Sequence, residues 1–250
     1  MISVITVVFN SKDLIRDTIE SVLQQTYDRI EFIIIDGAST DGTADIIKEY
    51  DHRIDYWYSE TDSGIYDAMN KGIRASTGDY LIFLNAGDTF ATKCVLSDIS
   101  KAIVKNGLPD IVYGETNILT LDGCFIKLLK PLKYIRRNIS FFGTRTVCHQ
   151  SIFVSRAITP FYSDDYSLKG ELAWYYDIFS LKPGLRAVRV LFPISNYLLG
   201  GVGDVSFIKN LKERIFVVWS KENILMFLLA VPVLLMVSII FKVKRTILSI

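Results

Sequence analysis

The chain has 250 residues, with 28 Lys and Arg against 27 Asp and Glu, and its formal net charge at pH 7 is +1. This length allows one large domain or two small ones with a full core. The balanced charge argues against nucleic acid as a partner, because such binding needs a clearly basic surface. Charged residues at 22% and aromatic residues at 12% exclude a disordered chain.

The first half of the chain alternates short apolar runs with helical patterns. Predicted strands cover residues 3–9, 30–35, 54–59, 80–84 and 110–114. Predicted helices lie between them, at residues 13–23, from about 42 to 50, and at 65–74. Apolar strands separated by helices indicate βαβ units and a parallel sheet that is covered on both faces. With right-handed crossovers, the pattern predicts a Rossmann-like open sheet of the α/β class, mostly parallel.

The second half of the chain is less regular. A hairpin is predicted at residues 117–129 around Asp122-Gly123, and a helix at residues 168–181. Gly200, Gly201 and Gly203 then mark a flexible break. Beyond it, an amphipathic helix is predicted whose apolar stripe consists of Ile208, Leu211, Ile215, Val218 and Trp219.

Residues 224–241 form an apolar segment of eighteen residues without a charge. As a helix the segment is about 27 Å long, just enough for the hydrocarbon core of a bilayer. Basic residues flank both of its ends, so the positive-inside rule does not distinguish a span from a re-entrant or in-plane helix. A buried core helix is the third interpretation.

The cysteine and histidine patterns indicate no metal site, disulfide framework or nucleophile. The three cysteines show no ligand spacing, which predicts neither a zinc site nor a disulfide framework and favours reduced thiols in the cytosol. His149 precedes Gln150-Ser151, but the segment lacks the GxSxG pattern of a nucleophile elbow. No basic region precedes the first apolar run, so no signal peptide is expected.

Polar residues follow the predicted strands where a ligand would bind. In open α/β sheets, ligands bind beyond the carboxyl ends of the strands. The segments there are Asn10, DGAST at residues 36–40, ETDSG at 60–64 and NAGD at 85–88. Three of the four carry carboxylates, which suit a divalent cation or the hydroxyls and base edge of a nucleoside.

Four motifs in this order carry a resemblance to a known family. The runs VITVVFNS, IEFIIIDGASTDGT, ETDSGIYDAMNKGI and STGDYLIFLNAGD resemble those of family 2 glycosyltransferases, which have the GT-A fold. Within that family the chain is most similar to enzymes of bacterial exopolysaccharide and O-antigen assembly, of the colanic acid type. The resemblance is strong over residues 1–115 and weaker through CHQSIF, KGELAWYYD and GGV.

The resemblance implies roles for particular residues. Asp36 corresponds to the nucleoside-binding acid, and Asp62 falls in the loop beside the nucleotide. Val7 and Phe9 fall where relatives enclose the base. Asn85, which opens the DxD region, joins this nucleotide-sugar set.

The other implied roles concern the metal, the base and the acceptor. Asp88, at the end of the DxD region, is the implied ligand of Mn²⁺ or Mg²⁺. Glu171 best matches the family's general base, with Asp177 as the alternative. His149 is a candidate for lining the acceptor or diphosphate pocket.

These assignments predict a metal-dependent, inverting glycosyltransferase acting at the cytoplasmic face of the cell membrane. Its donor would be a nucleotide-diphosphate sugar, and its acceptor a glycan, expected to be lipid-linked, in surface polysaccharide biosynthesis. The catalytic domain is expected at residues 1–205, with a nucleotide-sugar half at 1–115 and an acceptor half at 116–205. Residues 206–250 are expected to associate with the membrane. The alternative is a non-catalytic GT-A-like scaffold of a polysaccharide assembly complex.

Overall fold

The computed structural model describes residues 1–143, 146–182, 184–200 and 207–247, with side chains of residues 137 and 241–247 excepted. Nine strands are described: β1 Ile2–Val8, β2 Ile30–Asp36, β3 Tyr56–Ser59, β4 Tyr80–Phe83, β5 Thr89–Phe90, β6 Ile111–Leu119, β7 Phe125–Leu129, β8 Ile152–Ser155 and β9 Ala187–Leu198. Eight α-helices are described: α1 Lys12–Leu23, α2 Thr43–Glu49, α3 Ile65–Ala75, α4 Val95–Lys105, α5 Ile135–Phe142, α6 Gly170–Leu181, α7 Phe207–Lys221 and α8 Ile224–Ile247.

The strands form a single open sheet in the order β3-β2-β1-β4-β8-β6-β9-β5, with β7 paired to β6. The first four strands along the chain are parallel to one another. The second half joins through antiparallel pairs of β8 with β4 and β6, while β6 and β9 run parallel. The predicted Rossmann-like open sheet is therefore confirmed, and its regular parallel part is the first half of the chain.

Helices cover both faces of this sheet, as predicted. Alternate residues of β1 point to opposite sides: Ile5 belongs to a core with α3 and α6, and Val4 to a core with α1 and α4. All seven residues of β1 are buried. Such two-sided burial explains the continuous apolar run of the first strand. Full burial of each large apolar side chain stabilises the fold by roughly 1.5–3 kcal/mol.

The predicted hairpin and the helix before residue 181 are also present. Strands β6 and β7 pair antiparallel around Asp122 and Gly123, and α6 covers Gly170–Leu181. Strands β5, β8 and β9 carry no distinct sequence signal, because their pairing partners lie far away in sequence. The GGV motif and the expected division between residues 205 and 206 extend into residues outside the described ranges.

The two C-terminal helices pack on the body of the protein and on each other. Val217 of α7 belongs to the core that contains α6, whereas Val218 packs with Ala230 and Leu234 of α8. The predicted stripe on α7 is only partly correct, since Ile208 and Trp219 are exposed. The helix contacts two partners along its length, so its buried positions do not follow one simple stripe.

Helix α8 has one packed side and one exposed side. Ala230, Leu234 and Ser238 are buried at a spacing of four residues. The exposed side chains are large and apolar, and we call them the α8 stripe: Ile224, Leu225, Leu228, Leu229, Met236, Ile239 and Ile240. Within the described part of the chain, no helix combines the length and the apolarity that crossing a membrane requires.

Candidate functional site

The carboxyl ends of β1, β2 and β3 lie side by side at one edge of the sheet. Val8 is in register with Asp36, and Asp36 with Ser59. The loops after β1 and β2 are joined directly, because the backbone N–H of Thr40 donates to Asn10 Oδ1 at 2.9 Å. The structure thus brings together, at this edge, the polar segments that follow the first predicted strands.

Asp36 lies beneath this surface and is fully buried. Its carboxylate accepts hydrogen bonds from the hydroxyls of Ser39 and Ser59, each at 2.5 Å. The backbone N–H of Ser39 donates to the same carboxylate at 3.1 Å. Asp36 therefore organises the loop after β2, and its contact with a nucleoside stays a prediction.

Above Asp36, a cradle opens around Gly37 and consists of Phe9, Gly37 and Asp62. A Cβ atom at Gly37 would lie 2.5 Å from Asp62 Oδ2 and 3.3 Å from the Phe9 ring. Phe9 is 62% exposed, and the preceding inward-facing Val7 is buried below it. An exposed aromatic ring beside a carboxylate offers a stacking surface and a hydrogen-bond acceptor, which are the two features that a nucleobase uses.

The predicted metal loop is a tight turn after β4. The backbone N–H of Asp88 donates to the carbonyl oxygen of Asn85 at 3.0 Å. Asp88 is buried, and its Oδ1 accepts a hydrogen bond from the backbone N–H of Leu198 at 3.0 Å. Burial raises the pKa of the Asp88 carboxyl to about 8, against the opposing effect of hydrogen bonds from Leu198 and Gln150.

A divalent cation fits this turn in part. The side-chain oxygen of Asn85 is buried and has no hydrogen-bond partner. Together with the Asp88 carboxyl it offers oxygen donors, which Mg²⁺ and Mn²⁺ prefer, and Mg²⁺ commonly binds one or two carboxylates plus substrate phosphates. Among the described residues, no group of three or more His, Cys, Asp and Glu side chains could hold a metal ion. A cation at this turn would therefore need oxygens from a substrate.

Glu171 lies in the first turn of α6, next to the start of α3. Its carboxylate accepts a hydrogen bond from the Tyr66 hydroxyl, and its other oxygen lies 3.5 Å from Lys169 Nζ. Its side chain is 18% exposed, so the carboxylate stays accessible at the surface of the site. Burial and the Glu171 charge raise the pKa of Tyr66 strongly, so the phenol keeps its proton.

Asp177 pairs with a residue of α7, whereas His149 lies close enough to Glu171 for that carboxylate's charge to oppose the lowering of the histidine pKa. Asp177 lies further along α6 and pairs with Lys221 of α7 at 2.5 Å. His149 is buried, stacks on Phe83 at 5.1 Å, and its Nε2 lies 2.5 Å from the Tyr162 hydroxyl. Burial lowers the pKa of His149 to about 4, so the ring is neutral at pH 7. Its role in an acceptor pocket stays a prediction.

Three residues near Glu171 were not found from the sequence as site candidates. Tyr66 and Lys169 contact Glu171 directly, and Arg214 of α7 approaches closely enough for its charge and that of Glu171 to interact. Tyr66 and Lys169 lie inside motifs that carry the family resemblance, which was the one signal that could have found them. Arg214 follows a glycine-rich segment and carries no local motif that could have selected it.

A comparison with protein families identifies the family and the fold of the chain. The model of glycosyl transferase family 2 matches residues 3–160, more than half of the chain. The chain belongs to glycosyl transferase family 2. The predicted membership is confirmed, and the sheet with its two helical layers is the GT-A fold of this family's structural neighbours.

Among curated relatives, the chain is similar to a PGL/p-HBAD biosynthesis glycosyltransferase of Mycobacterium bovis. The two are 30% identical over 164 residues, which is 63% of this chain and 60% of the relative. The chain spans about three fifths of the length of the curated relatives that it matches first.

Two solved structures share the fold of this family 2 chain. S. aureus TarS residues 1–349, solved with UDP, has a TM-score of 0.67 and 16% identity, covering 88% of this chain and 64% of TarS. Mannosyltransferase PcManGT from Pyrobaculum calidifontis, solved with GDP-Man and Mn²⁺, has a TM-score of 0.65 and 16% identity. That match covers 93% of this chain and 67% of PcManGT.

Proposed function

We propose that this protein is an inverting glycosyltransferase that moves a sugar from a nucleotide-diphosphate sugar to a glycan acceptor in surface polysaccharide biosynthesis. The observation that carries the proposal is the convergence at one sheet edge of the Phe9–Gly37–Asp62 cradle and the Asn85–Asp88 turn. The names of the relatives support the glycan product, since they include PGL/p-HBAD biosynthesis and teichuronic acid biosynthesis.

The donor would lie along this edge, with its base in the cradle. Phe9 offers a ring face, and Asp62 offers an acceptor for a base N–H or a ribose hydroxyl. Asp62 Oδ1 already accepts a hydrogen bond from the backbone N–H of Gly64 at 2.9 Å, which holds the carboxylate in place. TarS with UDP and PcManGT with GDP-Man support a nucleotide sugar as the ligand class.

The diphosphate would then lie toward the turn after β4. Asp88 and Asn85 are the residues that would hold Mn²⁺ or Mg²⁺. The Mn²⁺ in the PcManGT structure supports a divalent cation as the cofactor class. When bound, the cation supplies positive charge that stabilises the leaving diphosphate. Independently of metal binding, this turn is attached to α1, because Thr18 Oγ1 donates a hydrogen bond to the Asp88 carbonyl oxygen at 2.9 Å.

The transfer step is a single displacement with Glu171 as the general base. The acceptor oxygen attacks the anomeric carbon and forms the new glycosidic bond, while the bond from that carbon to the diphosphate oxygen breaks. The bonding electron pair leaves with the diphosphate, and the acceptor's hydroxyl proton moves to the Glu171 carboxylate. Displacement from the opposite face inverts the anomeric configuration.

The α8 stripe supports association with the cytoplasmic face of a membrane, with α8 lying in the plane of the interface. One side of α8 packs on α7, and the other presents a continuous run of large apolar side chains. Apolar patches of this kind mark interaction sites for membranes or proteins. A lipid-linked glycan is the acceptor that this location would favour.

The proposed function is tested by measuring nucleotide release from a panel of UDP- and GDP-sugars, with Mn²⁺ and with a metal chelator. We expect slow, metal-dependent hydrolysis of one donor even without an acceptor. The released sugar from that donor is expected to carry the inverted anomeric configuration by NMR. If no donor is bound or hydrolysed, the protein is not a transferase and the scaffold alternative is favoured.

A further inference from the structure

Arg214 is a partly buried cation with one buried donor that is not used. Its Nε atom is buried and has no hydrogen-bond partner. In the ranges that the structure describes, no carboxylate lies within ion-pair distance of its guanidinium. Because buried donors in native proteins are almost always paired, an unpaired guanidinium nitrogen calls for a ligand.

The neighbouring residue holds Arg214 in this position. Glu213 Oε2 accepts hydrogen bonds from the backbone N–H groups of Leu168 and Lys169, at 2.8 and 2.9 Å. Its Oε1 accepts a bond from the Ser167 hydroxyl at 2.7 Å. These three bonds attach α7 to the segment that leads into α6, so the backbone of Arg214 is held close to the first turn of α6.

Lys169 is a buried cation at the same place. Its side chain is 7% exposed, and its Nζ lies 3.5 Å from Glu171 Oε1. Burial lowers the pKa of Lys169, and the positive charge of Arg214 lowers the pKa further. The negative charge of Glu171 opposes both effects. Burial also lowers the pKa of Arg214. The buried Lys169 and the partly buried Arg214 thus lie close enough to repel each other.

The carboxylates nearby are already engaged. Glu171 is shared between Lys169 and the Tyr66 hydroxyl, and both oxygens of Glu213 bond to Ser167 and the backbone. An added anion with several oxygens would pair the free guanidinium nitrogen and offset the repulsion between the two cations. Phosphate groups match the planar fork of arginine and also accept from lysine.

We propose that Arg214 and Lys169 together bind a phosphate or diphosphate group of a reactant next to Glu171. This inference rests on the proposed function. The group could come from the donor, because Tyr66, which contacts Glu171, lies in the first turn of the helix that follows the Asp62 loop. It could equally come from a lipid-linked acceptor, because α7 leads directly to α8 and its apolar stripe.

The test measures binding of two probes by calorimetry with purified full-length protein. UDP and GDP with Mn²⁺ represent the donor, and farnesyl diphosphate represents an acceptor's lipid-linked phosphate. Arg214→Gln and Lys169→Gln should each weaken binding of at least one probe roughly tenfold or more. Arg214→Lys, which keeps the charge but loses the fork, should give an intermediate affinity.

The matched control is Arg29→Gln, which removes the same charge from an exposed arginine just before the amino end of β2. It should leave both affinities unchanged. A loss confined to UDP or GDP assigns the site to the donor, and a loss confined to farnesyl diphosphate assigns it to the acceptor. Wild-type affinities in both glutamine variants would overturn the inference, as would an equal loss in Arg29→Gln.

Thermal unfolding of each variant distinguishes misfolding from a loss of binding. If Arg214→Gln does not fold, the probe affinities of Lys169→Gln alone decide whether the inference holds. Wild-type protein that binds UDP or GDP while the variants bind equally well refutes the inference but leaves the proposed function standing. Wild-type protein that binds none of the probes refutes both.

Discussion

The Tyr66 hydroxyl donates a hydrogen bond to the carboxylate of Glu171, across 105 residues of sequence. This close approach depends on Gly170, because a Cβ atom there would lie 2.7 Å from the Tyr66 ring. The bond joins the helix after the Asp62 loop to the first turn of α6. It therefore holds Glu171, the proposed base, at a fixed position relative to the Asp62 loop.

Glu171→Gln is expected to lower the rate of transfer to acceptor by 10²- to 10⁴-fold while leaving donor affinity nearly unchanged. Glutamine keeps the shape and still accepts from Tyr66, but it cannot take up the acceptor proton. Steady-state kinetics with calorimetry of donor binding checks this. Asp177→Asn is the matched control, and a larger loss of kcat there would make Asp177 the base.

Gly37→Ala is expected to weaken nucleotide binding tenfold or more without unfolding the protein. The added methyl group would lie 2.5 Å from Asp62 Oδ2 and displace that carboxylate from the cradle. Because the effect acts through Asp62, the double variant with Gly37→Ala and Asp62→Ala should bind nucleotide only slightly more weakly than Asp62→Ala alone. Binding of UDP and GDP to the four proteins of this cycle is the measurement, and fully additive losses would contradict the mechanism.

Asp88→Asn should reduce metal-dependent turnover about 100-fold, which corresponds to roughly 3 kcal/mol in the barrier. Its pKa in the fold, about 8, is raised above the unfolded value. In the metal-free protein this carboxyl therefore lowers stability as the pH rises from about 4 to 8. The asparagine variant should unfold at a higher temperature than wild type at pH 7.

Mn²⁺ provides a second measurement on Asp88. It should raise the unfolding temperature of the wild-type protein in the presence of UDP or GDP, but not that of Asp88→Asn. Asp98→Asn, an exposed residue of α4 paired with Lys101, is the control and should behave as wild type. Unchanged turnover in Asp88→Asn would remove this residue from the metal site.

His149 is expected to make the fold sensitive to acid. Its pKa in the fold, about 4, is below its ordinary value of 6.5, so the stability it contributes is present above pH 6.5. That contribution, about 3 kcal/mol at most, is lost as the pH falls from 6.5 to 4, because the unfolded chain binds a proton that the fold excludes.

Urea unfolding between pH 4 and 7 tests this dependence. His149→Gln should flatten the profile, because glutamine does not titrate and can still bond to Tyr162. His52, the other histidine of the chain, is exposed in the turn after α2, and His52→Gln should keep the wild-type slope. An unaltered slope in His149→Gln would assign the acid sensitivity to other groups.

Paired substitutions in the α8 stripe should release the protein from membranes. Leu225→Glu with Leu229→Glu changes two exposed side chains and is expected to weaken binding to anionic vesicles about 100-fold or more. Val104→Glu with Leu108→Glu changes two equally exposed apolar residues around the end of α4 and is the control. Vesicle co-sedimentation is the measurement. Protein that resists an alkaline carbonate wash would contradict an in-plane helix.

A truncation that removes α7 together with α8 is a less suitable test of membrane association. Glu213 bonds to the segment before α6, and Val217 lies in the core with that helix. A chain that ends near residue 210 would lose both and expose the core beneath them. Truncation after residue 223 removes α8 alone and keeps the contacts of Glu213, Arg214 and Val217.

Local patterns in the sequence predict the parallel half of the sheet and the edge at which the candidate site lies. Each of these strands and helices has a local apolar period, and the residues that follow a strand lie at its carboxyl end whatever the tertiary packing. For this reason the strand pattern was enough to select Asp36 and Asp88, while Asp62 was selected by the family resemblance. The hairpin at Asp122 and Gly123 is local for the same reason.

The surroundings of these side chains depend on the tertiary structure. It buried Asp36 under two serine hydroxyls, filled the space above Gly37 with Asp62, and placed His149 among aromatic rings. It also brought Arg214 beside Glu171 from a helix that no local pattern connects to the sheet. Burial, desolvation and unpaired donors arise between segments that are distant in the chain, so no window of sequence contains them.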